Sequence, residues 1–306
     1  MKKVLAALIV LAAFTALLAQ QPVVPQPPAG QKHLRVADIY MLPFSPADHR
    51  LAYGKEAWQF GELRLPAGAG PYPVAIIIHG GCWERKFADL HIMDPMAAAL
   101  THAGVATWNL EYREVDQEGG AWPGMFQDVA AGVDFLRTIA AQYHLDLKRV
   151  LVMGHSAGGH LALWVAARPR VPKGSPIWTS SPLPMRGVIS LDGIDDLQWV
   201  VKRGGNVCGD VVLDRLVGAG DKQADNLRAA SPAALLPLGV PETLLFGATT
   251  MPWATPDEHR AFAYQAKRLG DDVSASAIEN VGHFEFIAPG SLVWPQVEHA
   301  VLSQLK

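Results

Sequence analysis

One pentapeptide constrains this chain more than any other stretch. Val150-Leu151-Val152-Met153 is a short apolar run suited to a buried parallel strand, and Leu161, Trp164 and Val165 recur at helical spacing just beyond it. Between the two stands Gly154-His155-Ser156-Ala157-Gly158. A strand that turns directly into a helix needs a sharp bend, and Gly154 and Gly158 lack the Cβ atoms that would collide in it. Such a bend leaves the Ser156 hydroxyl exposed at a helix N-terminus, where the helix dipole favours negative charge. Taken alone, the pentapeptide is equally compatible with a plain strand-to-helix turn.

Two other stretches give the serine a chemical setting. Upstream, the apolar strand Pro73 to Ile78 runs into His79-Gly80-Gly81-Cys82-Trp83. Its glycines allow backbone N–H groups to turn inward. Gly80, Gly81 and Cys82, together with Ala157, are therefore the candidate donors for an oxyanion hole, holding the charge that develops on a carbonyl oxygen under attack by Ser156. Downstream, Asn280-Val281-Gly282-His283 places a histidine just after a last strand expected over Val273 to Ile278. His283 is the candidate general base; the plainer alternative is a solvated loop histidine. Serine before histidine is the chain order of one well-populated class of hydrolases.

With these strings in place the chain resembles an α/β-hydrolase of the esterase and lipase type, near its bacterial feruloyl-esterase-like and kynurenine-formamidase-like branches. The likeness extends over roughly residues 50 to 306, and Trp108 to Arg113, Trp122-Pro123-Gly124 and Ala230-Ser231-Pro232 stand where that family carries similar strings. The resemblance implies a serine hydrolase, and the expected activity is cleavage of a small-molecule carboxylic ester through an acyl-enzyme, with no cofactor. It specifies neither the acyl and alcohol groups nor an oligomeric state.

The resemblance also implies a carboxylate behind His283, to fix the imidazole tautomer. In the family this acid lies a few residues after the seventh strand, but Gly247 to Ala254 contains none. Asp257 and Glu258 follow within Thr255-Pro256-Asp257-Glu258, which reads first as a helix start with a threonine cap and proline in the first turn. A second station is the end of the sixth strand, Ser190-Leu191-Asp192-Gly193, where some lipase-like enzymes place their acid. Asp192 leads and Asp257 is the alternative; a water-supported dyad and an inactive site stay open. An amidase or formamidase using the same groups and a non-catalytic protein binding a ligand in the cleft are the rival functions.

Along the rest of the chain, half of the 306 residues are apolar and 18% are charged, enough core for one large α/β domain. The net charge of −3, with no basic cluster among aromatics, argues against nucleic acid as a partner. Met1-Lys2-Lys3 and the apolar run Val4 to Ala19 read as a signal peptide over residues 1–19, with a retained single span as the rival. Residues 20–32 form a proline-rich linker, and the folded domain is expected over 33–306, secreted or periplasmic and without stable membrane insertion once the signal is removed.

Antiparallel strands are expected between Leu34 and Pro66, with period-two alternation over Phe60 to Leu65. Helices over 92–103 and 126–143 and strands over 105–110, 186–191 and 242–246 complete a mostly parallel central sheet flanked by helices. Residues 193–240 form a cap-like excursion between the sixth and seventh strands. No zinc or calcium spacing appears, so no metal is implied. Trp83 and Trp253 are candidates for the substrate pocket, with packing as the alternative role. His155 and His160 adjoin the serine too closely to serve as its base and are expected to support it. Cys82 and Cys208, the two cysteines, are candidates for a disulfide if export oxidises them, with a buried Cys82 thiol under the oxyanion turn as the alternative.

Overall fold

The structure, a computed structural model, describes residues 33–202, 212–248 and 255–306. The signal-peptide and linker readings therefore fall outside the described residues. None of the described helices is long and apolar enough to cross a membrane.

Among the described residues one eight-stranded sheet runs in the order β1-β2-β4-β3-β5-β6-β7-β8. Its strands are β1 (His49–Ala52), β2 (Phe60–Arg64), β3 (Tyr72–Ile78), β4 (Ala106–Leu110), β5 (Leu145–His155), β6 (Gly187–Leu191), β7 (Glu242–Gly247) and β8 (Val273–Ile278). Pairs from β4 to β8 are parallel, whereas β1 pairs with β2 and β2 with β4 antiparallel. This is the α/β-hydrolase arrangement. Strand side chains alternate between two cores: Val74, Ile76, Val150 and Val152 enter one, Ala75, Ile77, Leu151 and Met153 the other. Period-two alternation with both faces apolar requires helices on each side.

The helices are α1 (Val36–Tyr40), α2 (Asp94–His102), α3 (Gly124–Asp134), α4 (Leu136–Ile139), α5 (Ala157–Ala167), α6 (Leu197–Lys202), α7 (Val212–Val217), α8 (Gln223–Ala230), α9 (Pro256–Arg268) and α10 (Trp294–Gln304). Phe126 of α3, Trp164 of α5 and Phe262 of α9 pack in the first core, and Met96 of α2 with Val297 of α10 in the second. Every residue of α5 is buried.

Several elements differ from the sequence reading. The helix expected over 126–143 is broken at Phe135 into α3 and α4. A continuous helix would offer the Gly132 carbonyl to the N–H of residue 136, but that carbonyl accepts from Trp108 Nε1 at 3.0 Å. The stretch before β1 begins with the short helix α1 rather than a strand. The polar positions of β2 are buried too, because Glu62 pairs with Arg50 (2.7 Å) and Arg64 with Asp94 (2.8 Å). The excursion after β6 carries α6, α7 and α8.

Candidate active site

Strand register brings the four motifs together at one end of the sheet. Ile78 of β3 pairs with Gly154 of β5, His155 with Leu191 of β6, and Gly247 of β7 with Ile278 of β8. The residues that follow these carboxyl ends, His79 to Cys82, Ser156, Asp192 and His283, therefore emerge on the same side. This is where ligands bind in parallel α/β sheets.

Ser156 sits at the bend with φ 56° and ψ −122°, in a left-handed region that costs a residue with a Cβ about 1–3 kcal/mol. The surrounding structure holds it there. Its N–H donates to the Leu191 carbonyl at 3.0 Å. A Cβ on Gly154 would stand 2.0 Å from the Gly158 carbonyl oxygen, and one on Gly158 would stand 2.1 Å from that of Ile78. Only glycine admits so close an approach of β5, α5 and β3.

His283 meets Asp192 across the ends of β8 and β6. Its Nδ1 lies 2.5 Å from Asp192 Oδ2, while Asp192 Oδ1 accepts from the Gly247 N–H at 3.0 Å. Asp192 is buried with φ 47°, and its own N–H donates to the Leu245 carbonyl at 2.7 Å. Burial by itself would raise the Asp192 pKa; the hydrogen bond and charge of His283 outweigh it and hold the carboxylate below its ordinary value. Among the described residues nothing else hydrogen-bonds the His283 ring, and His283 lines a cavity with Ser156. Asp257 is elsewhere. Its side chain is 79% exposed and bonds Arg260 at 3.2 Å, within the first turn of α9 behind the Thr255 cap.

His155 supports His283 from below. Its Nε2 stands 2.8 Å from the His283 carbonyl, and the two rings lie 4.3 Å apart. A carbonyl only accepts, so Nε2 carries the proton. Burial, then the neighbouring His283, push the His155 pKa down to about 3, so the ring is neutral. His160 is also neutral, pushed down to about 4 by burial. It accepts from Trp83 Nε1 at 3.2 Å through Nδ1 and donates to the Ala230 carbonyl at 2.9 Å through Nε2.

Ser156 and His283 share a cavity of about 230 Å³ with Gly80, Gly81, Cys82 and Ala157. The N–H groups of Gly81 and Ala157 make no backbone hydrogen bond among the described residues. Gly81, Cys82 and Trp83 have φ of 117°, 55° and 58°, a run of left-handed residues that curls the loop around the cavity. His155 also lines it, and the rest of the wall is apolar, with Val36, Trp83, Phe87, Ile92, Ile194 and Phe284. Trp83 thus both packs and lines, being 2% exposed. Trp253 lies outside the described residues. Cys82 is disulfide-bonded, and Cys208, the other cysteine, lies outside the described residues.

Sequence reasoning passed over two buried clusters. His79 Nε2 lies 2.9 Å from Glu111 Oε1, directly behind the candidate oxyanion loop. Asp195 Oδ2 lies 2.5 Å from His259 Nδ1, joining the start of the excursion to α9. The first was discoverable: both residues directly follow apolar strands. A possible metal-ligand group of Glu62, His91 and Asp94 is already occupied by cations, since Arg50 and Arg64 pair with its carboxylates.

Comparison with known proteins places this geometry among relatives. The BD-FAE family model matches residues 62–258. Probable isoprenylcysteine alpha-carbonyl methylesterase ICMEL1 of Arabidopsis thaliana is 30% identical over 125 residues, 40% of this chain and 25% of that protein. Probable carboxylic ester hydrolase LipM of Mycobacterium tuberculosis is 25% identical over 158 residues, 49% of this chain and 35% of that protein. The chain thus spans only about a quarter to a third of these relatives' length. Among solved structures, a truncated carbohydrate esterase from gut microbiota superposes with a TM-score of 0.71 at 18% identity, covering 85% of this chain and 96% of that one. The propionate-bound esterase 2 of Thermogutta terrifontis gives 0.68 at 19% identity, covering 84% and 93%.

Proposed function

The chain belongs to the BD-FAE family, and from that premise and the geometry above we propose that it is a serine esterase that cleaves carboxylic esters through an acyl-enzyme. The observation that carries the reading is the 2.5 Å contact between Asp192 and His283, a histidine that lines the same cavity as Ser156. Ser156 Oγ attacks the ester carbonyl while His283 Nε2 takes its proton, and Asp192 stabilises the imidazolium so formed. The oxyanion receives N–H groups from Ala157 and from the loop of Gly80, Gly81 and Cys82. His283 then protonates the departing alcohol, and water reverses the steps to free the acid.

The apolar wall and the neutral state of His155 favour an uncharged, apolar group against the serine. The non-catalytic reading rested on a missing acid, and the buried Asp192 carboxylate 2.5 Å from His283 Nδ1 supports the catalytic reading over it. The basic start and apolar run of residues 1–19 support export. The test is labelling with a fluorophosphonate probe, beside turnover of nitrophenyl esters and aryl formamides. Labelling at Ser156 with ester turnover is expected. Folded protein that is neither labelled nor active overturns the reading in favour of ligand binding, and preference for the formamides makes the protein an amidase.

A further inference from the structure

The loop that faces the cavity is held from behind by charge. Parallel pairing of Ile78 with Leu110 sets the next residues, His79 and Glu111, side by side beyond the ends of β3 and β4. Both are buried. His79 presents each ring nitrogen to an acceptor: Nε2 to Glu111 Oε1 at 2.9 Å and Nδ1 to the Gly80 carbonyl at 2.8 Å. A carbonyl cannot donate, and a carboxylate facing an unprotonated nitrogen would repel it, so the contacts call for a proton on both nitrogens.

Glu111 is equipped to hold that charge. Besides His79, its oxygens accept from the N–H groups of Tyr112 (2.9 Å) and Leu90 (3.3 Å) and from Arg85 Nη1 (3.2 Å). The other ionisable groups near the ring are Glu114, which is buried, and Tyr112, which stacks on it at 4.5 Å and whose phenol burial pushes well above its ordinary pKa, so that it stays neutral. Burial alone would lower the His79 pKa; Glu111 first, and Glu114 after it, bring it up to about 9.

The consequence lies one peptide further on. In a trans peptide the C=O and N–H point in opposite directions. A Gly80 carbonyl pinned to His79 therefore turns the Gly81 N–H away from the ring. The flanking carbonyls are fixed as well: His79 O accepts from Tyr112 Oη at 2.8 Å, and Gly81 O from the Glu84 N–H at 2.9 Å. We propose that His79 is a positioning residue of the oxyanion hole, an imidazolium held by Glu111 that orients and polarises the Gly80–Gly81 peptide so that the Gly81 N–H meets the developing oxyanion. Hydrogen bonding to a charged donor strengthens the next donor in the chain. The inference rests on the esterase reading.

Two measurements test it. Loss of one oxyanion donor costs roughly 10²–10³ in kcat, so a weakened and misaligned one is worth about 10–100. Glu111→Gln removes the charge that keeps His79 doubly protonated. At pH 8 its kcat is expected to fall about 10- to 100-fold with KM within about threefold. Part of the loss should return at pH 6, whereas the wild type holds its rate until near the His79 pKa of about 9. A folded Glu111→Gln variant with wild-type kcat and an unmoved alkaline limb overturns the proposal. Independently of any variant, ¹⁵N NMR of the wild-type protein at pH 7 should show two protonated ring nitrogens on His79, assigned through its stacked neighbour Tyr112, 4.5 Å away. A singly protonated ring overturns the proposal. Failure of the esterase reading shows separately, as a wild-type protein that turns over no ester and takes no probe.

Discussion

Replacing Asp192 by Asn isolates the carboxylate with almost no change of shape, and the structure dictates how the new amide must sit. Oδ1 of Asp192 accepts from the Gly247 N–H at 3.0 Å, a donor that only an oxygen can satisfy. The Asn oxygen therefore takes that place, and its NH₂ faces His283 Nδ1, now 2.5 Å from a carboxylate oxygen. Facing a donor, Nδ1 must give up its proton, and the neutral ring carries it on Nε2 instead. That is the wrong tautomer for accepting a proton from Ser156. The stabilisation of the imidazolium is lost with it. Together these effects reduce turnover by about 10³ to 10⁴, which corresponds to roughly 4–5.5 kcal/mol in the barrier. Steady-state hydrolysis of a nitrophenyl ester at pH 7.5, with circular dichroism to verify folding, measures it. Asp257→Asn is the control, expected within about twofold of wild type because it alters a 79% exposed charge at a helix N-terminus worth about 0.3–1 kcal/mol. A folded Asp192→Asn variant within tenfold of wild type would refute the assignment, and a large loss at Asp257 would move the acid there.

Other expectations concern stability. Gly158→Ala puts a Cβ 2.1 Å from the Ile78 carbonyl oxygen and 2.4 Å from that of His79, and should lower stability by about 3 kcal/mol or more; a melting temperature equal to wild type would show that β3 yields. Glu242 is buried, and burial first, then Asp271, raise its pKa to about 9. Because that lies above its ordinary value of 4.5, the stability it contributes is complete below about 4.5 and lost as pH rises through about 9. Glu242→Gln should therefore gain in melting temperature over wild type as pH rises from 5 to 9, and a constant difference contradicts this. Cys82 and Cys208 should add no alkyl group in intact-mass measurement of native protein alkylated without reductant; two adducts would exclude their bridge.

What the sequence determined by itself is what short spacing can carry. The strand, sharp turn and helix around Ser156 span some fifteen residues, so the apolar run and the two glycines specify them without help from the rest of the chain. The alternation of βαβ units implied a parallel sheet covered on both faces, and Thr255-Pro256-Asp257-Glu258 announced the start of α9. Where tertiary neighbours compete for a backbone or side-chain group, spacing misleads. Trp108 claims the Gly132 carbonyl and divides one expected helix in two. Arg50 and Asp94 bury the polar side of β2, which period-two alternation alone would leave in water.

Only the tertiary structure decided which carboxylate faces His283. Asp192 and His283 stand 91 residues apart, and their meeting depends on β7 lying between β6 and β8 while its Gly247 N–H ties down the other carboxylate oxygen. Likewise His79 and Glu111, 32 residues apart, meet because Ile78 pairs with Leu110. Pairing register is set by the packing of whole strands and the helices that cross between them, so a one-residue shift would exchange every such partner while leaving each local pattern unchanged.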